Sequence, residues 1–232
     1  MEKFWIQSYP EGVPAEIDTT RYRSLVQLME EAFSKYAARN AYVCMDKFMT
    51  YAELDAMSKK LGAWLQGQGL SKGARVALMM PNVLQYPVAI AAVLRAGYVV
   101  VNVNPLYTPR ELEHQLNDSG AEAIIILENF ATTLEKVISR TQIKVAVVAS
   151  MGDLLGGAKG AIVNFVVRNI KKMVPAFSLP HVVRFNHALK QGARMMLRPC
   201  SPTAGGSSGS SVSRCWYGRS LVHVSGSPDP AH

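Results

Sequence analysis

The chain has 232 residues, 49% of them hydrophobic and 18% charged. That balance supports a buried core and excludes a wholly disordered or collagen-like chain. Its formal net charge of +8 is local: residues 1–150 carry fifteen basic and fifteen acidic side chains, whereas 151–198 carry eight basic ones against Asp153 alone.

Cys44, Cys200 and Cys215 have no metal-ligand spacing, and their odd number argues against a disulfide framework. The opening MEKFWIQSYPEG lacks the apolar stretch of a secretory signal. No uncharged apolar run approaches the roughly 18 residues of a membrane-spanning helix. A cytoplasmic protein is expected.

Elements alternate along the first 150 residues. SLVQLMEEAFSKYAA (24–38) spaces Leu25, Leu28, Met29 and Phe33 along one helical face. TYAELDAMSKKLGAWLQGQG opens with Thr50 and Glu53 at capping-box spacing, where each side chain satisfies an orphan backbone N–H, and closes on Gly67 and Gly69. ARVALMMP reads as a short strand stopped by Pro81, and LQYPVAIAAVLRAG as an apolar helix with Pro87 in its first turn. YVVVNVNP is a β-branched, almost continuously apolar run, as a strand covered on both faces requires. TPRELEHQLNDSG repeats the start pattern, with Thr108 as N-cap, Pro109 behind it, Glu111 completing the box and Gly120 at the end. AEAIIILE and KVAVVAS are two further buried-strand candidates on either side of the helix-like FATTLEKVISR. Such alternation predicts an α/β fold with right-handed crossovers and a doubly wound parallel sheet.

Beyond residue 150 the pattern changes. GAKGAIVNFVVRNIKKMV places Ile162, Val163, Val166, Ile170, Met173 and Val174 on one helical face and Arg168, Lys171 and Lys172 on the other. A basic amphipathic helix is expected there. One reading packs its apolar face on the sheet and leaves the cations in solvent. The other lays it on an anionic membrane surface, with Arg168, Lys171 and Lys172 as the contact residues. Nucleic acid is not expected as a partner, because no recognised binding module accompanies the charge. From residue 199 onward nine Ser and five Gly fall within 34 residues and periodicity is lost, so 199–232 is expected to be a disordered tail.

Residues 75–127, RVALMMPNVLQYPVAIAAVLRAGYVVVNVNPLYTPRELEHQLNDSGAEAIIIL, resemble the N-terminal subdomain of bacterial long-chain fatty acid–CoA ligases of the adenylate-forming, AMP-binding superfamily. MTYAELD (49–55), NPLYTPREL (104–112) and YPEGVPAEID (9–18) are similar to segments of the same branch. The likeness runs over roughly residues 1–198, about the first third of such an enzyme. It implies an N-terminal α/β subdomain at 1–150, a basic amphipathic segment of the same domain at 151–198 and an unrelated tail. It also implies a parent activity: ATP and Mg2+ convert a long-chain fatty acid to an acyl-adenylate, and the acyl group passes to coenzyme A. Peripheral attachment to the inner membrane would suit a substrate that partitions into lipid. Within the enzyme reading the alternative is another acyl- or aryl-CoA ligase; outside it, a non-catalytic membrane-surface or regulatory module.

The family's phosphate loop has the form YTGGTTGxxKG, and TAGGSSGSSVSR (203–214) partly resembles it. The residues before it, RPCSP, contain two prolines that a central strand excludes, and no Lys follows Lys190. Arg214 is no equivalent of the missing Lys, because a guanidinium fork and an ammonium point charge meet phosphate differently. The expectation is therefore an inactive chain with no catalytic, cofactor-binding or metal-binding residues of its own. ATP, Mg2+ and coenzyme A would not bind it productively.

His114, His181 and His187 have no ligand spacing, GGAKG (156–160) lacks the strand that precedes a Walker loop, and Cys44 reads as a packed residue. Tyr107 and Arg110 lie just after a strand end, where open α/β sheets place ligands. Because a parallel sheet needs cover on both faces, bare sheet surface and marginal stability are expected of this portion alone.

Overall fold

The computed structural model describes residues 4–199 except 17, 19, 20 and 23. The Ser/Gly-rich segment expected to be disordered, and the loop-like 203–214 within it, lie outside the described residues. Helix α1 (Leu25–Lys35) leads into a hairpin of β1 (Asn40–Cys44) and β2 (Lys47–Thr50), and then into α2 (Tyr51–Gln66). Strand β3 (Arg75–Met79), α3 (Gln85–Arg95), β4 (Val99–Asn102), α4 (Pro109–Ser119) and β5 (Ala121–Leu127) follow. After them come α5 (Ala131–Glu135), β6 (Val145–Ala149), α6 (Gly157–Phe165), β7 (Val182–Arg184) and α7 (Phe185–Gly192).

Five strands make one sheet in the order β4-β3-β5-β6-β7, and every pairing is parallel. The doubly wound parallel sheet expected from the alternation is therefore present. Two of its strands repeat one logic. Val76 and Leu78 of β3 enter one core with Leu61, Trp64, Val88 and Ala92 of α2 and α3, while Ala77 and Met79 enter a second core with Leu112 and Leu116 of α4. In β5, Ile125 goes to the first core and Ile124 and Ile126 to the second. A period of two inside a continuous apolar run feeds both faces, and each fully buried Ile contributes about 1.5–3 kcal/mol.

Bare sheet surface was expected; the three inner strands show little of it, while the edge strands β4 and β7 are only partly covered. Residues 76–79, 123–127 and 146–149 are all buried, because helices of this same chain cover both faces. The last helix completes that cover. Gly192 of α7 lies so close to α2 that a Cβ there would overlap the Lys60 carbonyl, and Trp64 Nε1 donates to Gln191 Oε1 at 2.7 Å. Exposed apolar side chains lie at the periphery instead, on the hairpin (Val43, Met45, Phe48) and around α6 (Ile162, Phe165, Ile170, Met173).

The two capping boxes are formed: Thr50 Oγ1 accepts from Glu53 N at 3.2 Å and Thr108 Oγ1 from Glu111 N at 3.4 Å, with both reciprocal carboxylate bonds made. Gly120 ends α4 in the left-handed region at φ 60. Local chemistry predicted less well elsewhere. Of the four residues assigned to the inner face of α1 only Phe33 is buried, and Leu25 and Leu28 are exposed, because α1 meets the body through one edge alone. FATTLEKVISR is three short pieces, with single 3-10 turns at Glu128–Phe130 and Ile138–Arg140 flanking α5.

The basic helix departs most from expectation. α6 ends at Phe165 and continues as a π turn over Val166–Ile170, closed by Lys172 at φ 49. The wider turn changes the phase of every later residue, so a 100° periodicity assigns their faces wrongly. Ile162, Phe165, Ile170 and Met173 are each more than half exposed, and Gly160 is the buried residue of α6. Of the apolar face read from the sequence, Val163 packs against the first core and Val166 and Val174 are half-buried, whereas Ile162, Ile170 and Met173 face outward.

Candidate functional site

In a sheet of this order the strand sequence reverses between β3 and β5, and ligands of open α/β sheets bind outside the carboxyl ends of the strands at that reversal. Residues at the carboxyl ends of β5, β6 and β7, with Gln85 at the start of α3 and Arg168 of the π turn, form one polar cluster there. Glu128, immediately after β5, is 1% exposed. Its Oε1 accepts from Arg168 Nε at 3.0 Å, and its Oε2 from Arg168 Nη2 at 2.8 Å and Arg184 Nη1 at 3.0 Å. Arg168 Nη2 also donates to Ser150 Oγ at 2.7 Å. Gln85 Nε2, in the first turn of α3, donates to the Ser150 carbonyl at 2.7 Å. Ser150 N donates to Asp153 Oδ2 at 2.7 Å.

Each contact follows from the strands ending together. Leu127 and Ala149 are register partners, so Glu128 and Ser150 emerge side by side. The segment 152–164 is folded back on itself by a backbone contact between Gly152 and Gly160 that leaves no room for a Cβ on either, while Gly152 N donates to Asn164 Oδ1 at 2.8 Å.

The electrostatics are those of a clamp. Two guanidinium groups engage both oxygens of Glu128, and the hydrogen bonds to Glu128 hold the Arg168 side chain above the ordinary arginine value. Burial raises the Asp153 carboxyl above its ordinary range, with the neighbouring Glu128 charge acting in the same direction. A nearby pair is separate: Tyr86 Oη donates to Asn102 Oδ1 at 2.8 Å, and desolvation raises the Tyr86 phenol. No nucleophile–base pair is assembled among these residues. Two arginines enclose the Glu128 carboxylate, and among the described residues no group of three or more His, Cys, Asp or Glu could hold a metal. No catalytic step is assigned to these residues.

The three candidate membrane-contact residues are split. Arg168 turns inward to Glu128, whereas Lys171 and Lys172 are exposed. Arg110, His114, His181 and His187 are exposed, and Tyr107 is half-buried against the core under α4. Cys44 Sγ points to the Asn82 carbonyl at 3.8 Å. GGAKG is the turn into α6, and its Lys159 donates to the Met45 carbonyl and lies 3.8 Å from Asp46.

Sequence reasoning missed Glu128 and Arg95, each a lone charge at the end of an apolar run. Arg95 is almost fully buried where α1, α2 and α3 meet, bonded to Asp55 and to Ser58 Oγ, with its guanidinium 4.9 Å from the Phe33 ring. It floors a cleft of about 540 Å3 lined by Glu30, Ser34, Asp55 and Lys59, at the opposite end of α3 from the Glu128 cluster.

Against known proteins, the family model described as "AMP-binding enzyme" matches residues 29–171. A protein of Salmonella typhimurium named long-chain-fatty-acid–CoA ligase is 57% identical over 196 residues, 84% of this chain and 35% of the relative. A protein of the same name from Haemophilus influenzae is 48% identical over 201 residues, 86% of this chain and 36% of its own length. The chain therefore spans about a third of the length of these curated relatives. A crystal structure of a long-chain-fatty-acid-CoA ligase from Archaeoglobus fulgidus superposes with a TM-score of 0.60 at 21% identity, covering 84% of this chain and 35% of that one, which establishes the shared fold.

Proposed function

Because the chain belongs to the AMP-binding enzyme family, we propose that it is a portion of a long-chain fatty acid–CoA ligase that lacks the groups for catalysis. The observation that carries the substrate class is the 57% identity to a ligase of that name. In the whole enzyme ATP, with Mg2+, activates the fatty acid as an acyl-adenylate, and coenzyme A then takes the acyl group. The role of this portion is scaffolding: a five-stranded sheet whose polar carboxyl edge is locked by Glu128, Arg168 and Arg184.

Two measurements test this. The isolated chain with ATP, Mg2+ and palmitate should release no pyrophosphate above a protein-free blank; palmitate-dependent release overturns the inactivity. Residues 1–198 grafted in place of the matching segment of the Salmonella typhimurium ligase should keep palmitate–CoA ligase activity within about tenfold of the parent. A folded chimera that has lost activity on palmitate but acts on an aryl acid overturns the substrate class.

A second reading is supported by the outward apolar side chains of the α6 region beside Lys171 and Lys172. In it the portion is a module that sits on an anionic membrane surface, with peripheral attachment at the inner membrane.

A further inference from the structure

Scattered exposed apolar side chains are ordinary on a protein surface; clustered ones need an explanation. Between residues 162 and 173 four large apolar side chains stand more than half exposed: Ile162, Phe165, Ile170 and Met173. A second element lies beside them. The β1–β2 hairpin turns at Met45 and Asp46, both in the left-handed region at φ 49 and φ 58, and exposes Val43, Met45 and Phe48. Two consecutive non-glycine residues in that region are held at a cost in backbone energy. Lys159 joins the two elements by donating to the Met45 carbonyl and facing Asp46.

The inward bonds of Arg168 to Glu128 and Ser150 keep this presentation in place. With Arg168 committed to the sheet edge, Phe165 before the turn and Ile170 at its end remain outside, while Val166 and Val167 are half-buried. Around them stand Lys47, beside Glu53, and Lys159, beside Asp46, together with Lys171 and Lys172; the last three belong to the 151–198 segment, which carries eight basic residues and one acidic one. Lysine stems lie along apolar surface while their ammonium groups reach water or phosphate.

We propose that the hairpin tip and the α6 region form one two-pronged surface that inserts Met45, Phe48, Phe165 and Ile170 into the interface of an anionic bilayer. Arg168 then acts as a positioning residue rather than a lipid contact. The charge around the patch selects anionic lipid over neutral lipid, and apolar insertion makes the attachment outlast screening by salt. This rests on the membrane reading above and changes its physical basis from charge alone to charge with insertion.

The test is co-sedimentation of the full chain with vesicles of phosphatidylcholine containing phosphatidylglycerol, or of phosphatidylcholine alone, at low and physiological salt. The wild-type chain should bind the anionic vesicles at both salt levels. Phe165→Ser with Ile170→Ser should weaken binding about tenfold, Phe48→Ser should weaken it measurably, and Lys171→Glu with Lys172→Glu should abolish it at physiological salt. All these positions are exposed, and an unchanged unfolding midpoint will check that each variant folds. If the lysine reversal abolishes binding while the serine variants bind as wild type, insertion is overturned and the charge reading survives. No binding to anionic vesicles overturns both, and equal binding to neutral vesicles overturns the selection by charge.

Discussion

Glu128 and Arg168 offer a test in which two partners of one ion pair should differ sharply in the cost of their loss. Glu128 is 1% exposed, while the Arg168 and Arg184 side chains are 41% and 51% exposed. Arg168→Met keeps most of the aliphatic stem but takes two of the three arginine hydrogen bonds from a buried carboxylate. Breaking a buried pair from one side costs about 3–5 kcal/mol. Because Arg184 remains, about 2–3 kcal/mol is expected here. Glu128→Gln removes the charge but keeps an acceptor, and both half-exposed guanidiniums regain water, so about 1–2 kcal/mol is expected. The double variant should cost little more than Glu128→Gln alone, so the coupling energy should approach the Arg168→Met cost, about 2 kcal/mol. Urea unfolding followed by far-UV circular dichroism measures all four proteins, provided the transition slopes agree. A Glu128→Gln cost equal to or above that of Arg168→Met would refute the reasoning, as would two single variants within about 0.5 kcal/mol of wild type.

Other outcomes follow from the same contacts. Gly192→Ala should destabilise by about 1–3 kcal/mol despite the better helix propensity of Ala, since its Cβ overlaps the Lys60 carbonyl; Gly157→Ala, with open space around it, should be neutral or slightly stabilising in the same urea assay. Thr108→Ala should cost about 0.5–2 kcal/mol in that assay through the lost N-cap of α4. Hydrogen bonds from Lys144 and Ser71 lower the Glu122 carboxyl from 4.5 to about 2, so its contribution is complete above pH 4.5 and is lost as pH falls toward 2. Lys144→Met should flatten that acid limb of the stability curve. Asp153 acts with the opposite sign: its folded value is raised, so its contribution is lost as pH rises from 3.8 through that raised value, and Asp153→Asn should remove that loss.

The sequence by itself determined the elements whose causes are local or periodic. Thr50 with Glu53 and Thr108 with Glu111 start two helices through bonds three residues long, and Gly120 ends one. Short apolar runs such as AIIIL (123–127), bounded by turn residues, read as strands covered on both faces, and the doubly wound sheet follows from their alternation with helices. The resemblance in residues 75–127 likewise pointed to the family, because a long match leaves little room for coincidence. The hairpin β1–β2 and the edge strand β7 went unread: both are short, and the hairpin turn places Met and Asp where sequence rules look for Gly or Asn.

The face presented by α6 was decided only by tertiary structure. A helical wheel assumes constant pitch and counts charge as solvent-seeking. Here a π turn alters the pitch, and a buried carboxylate 40 residues away along the chain draws the half-exposed Arg168 guanidinium toward the sheet edge. Pairing at that distance carries no periodicity, so no reading of the segment alone could place Arg168 inward and Phe165 and Ile170 outward.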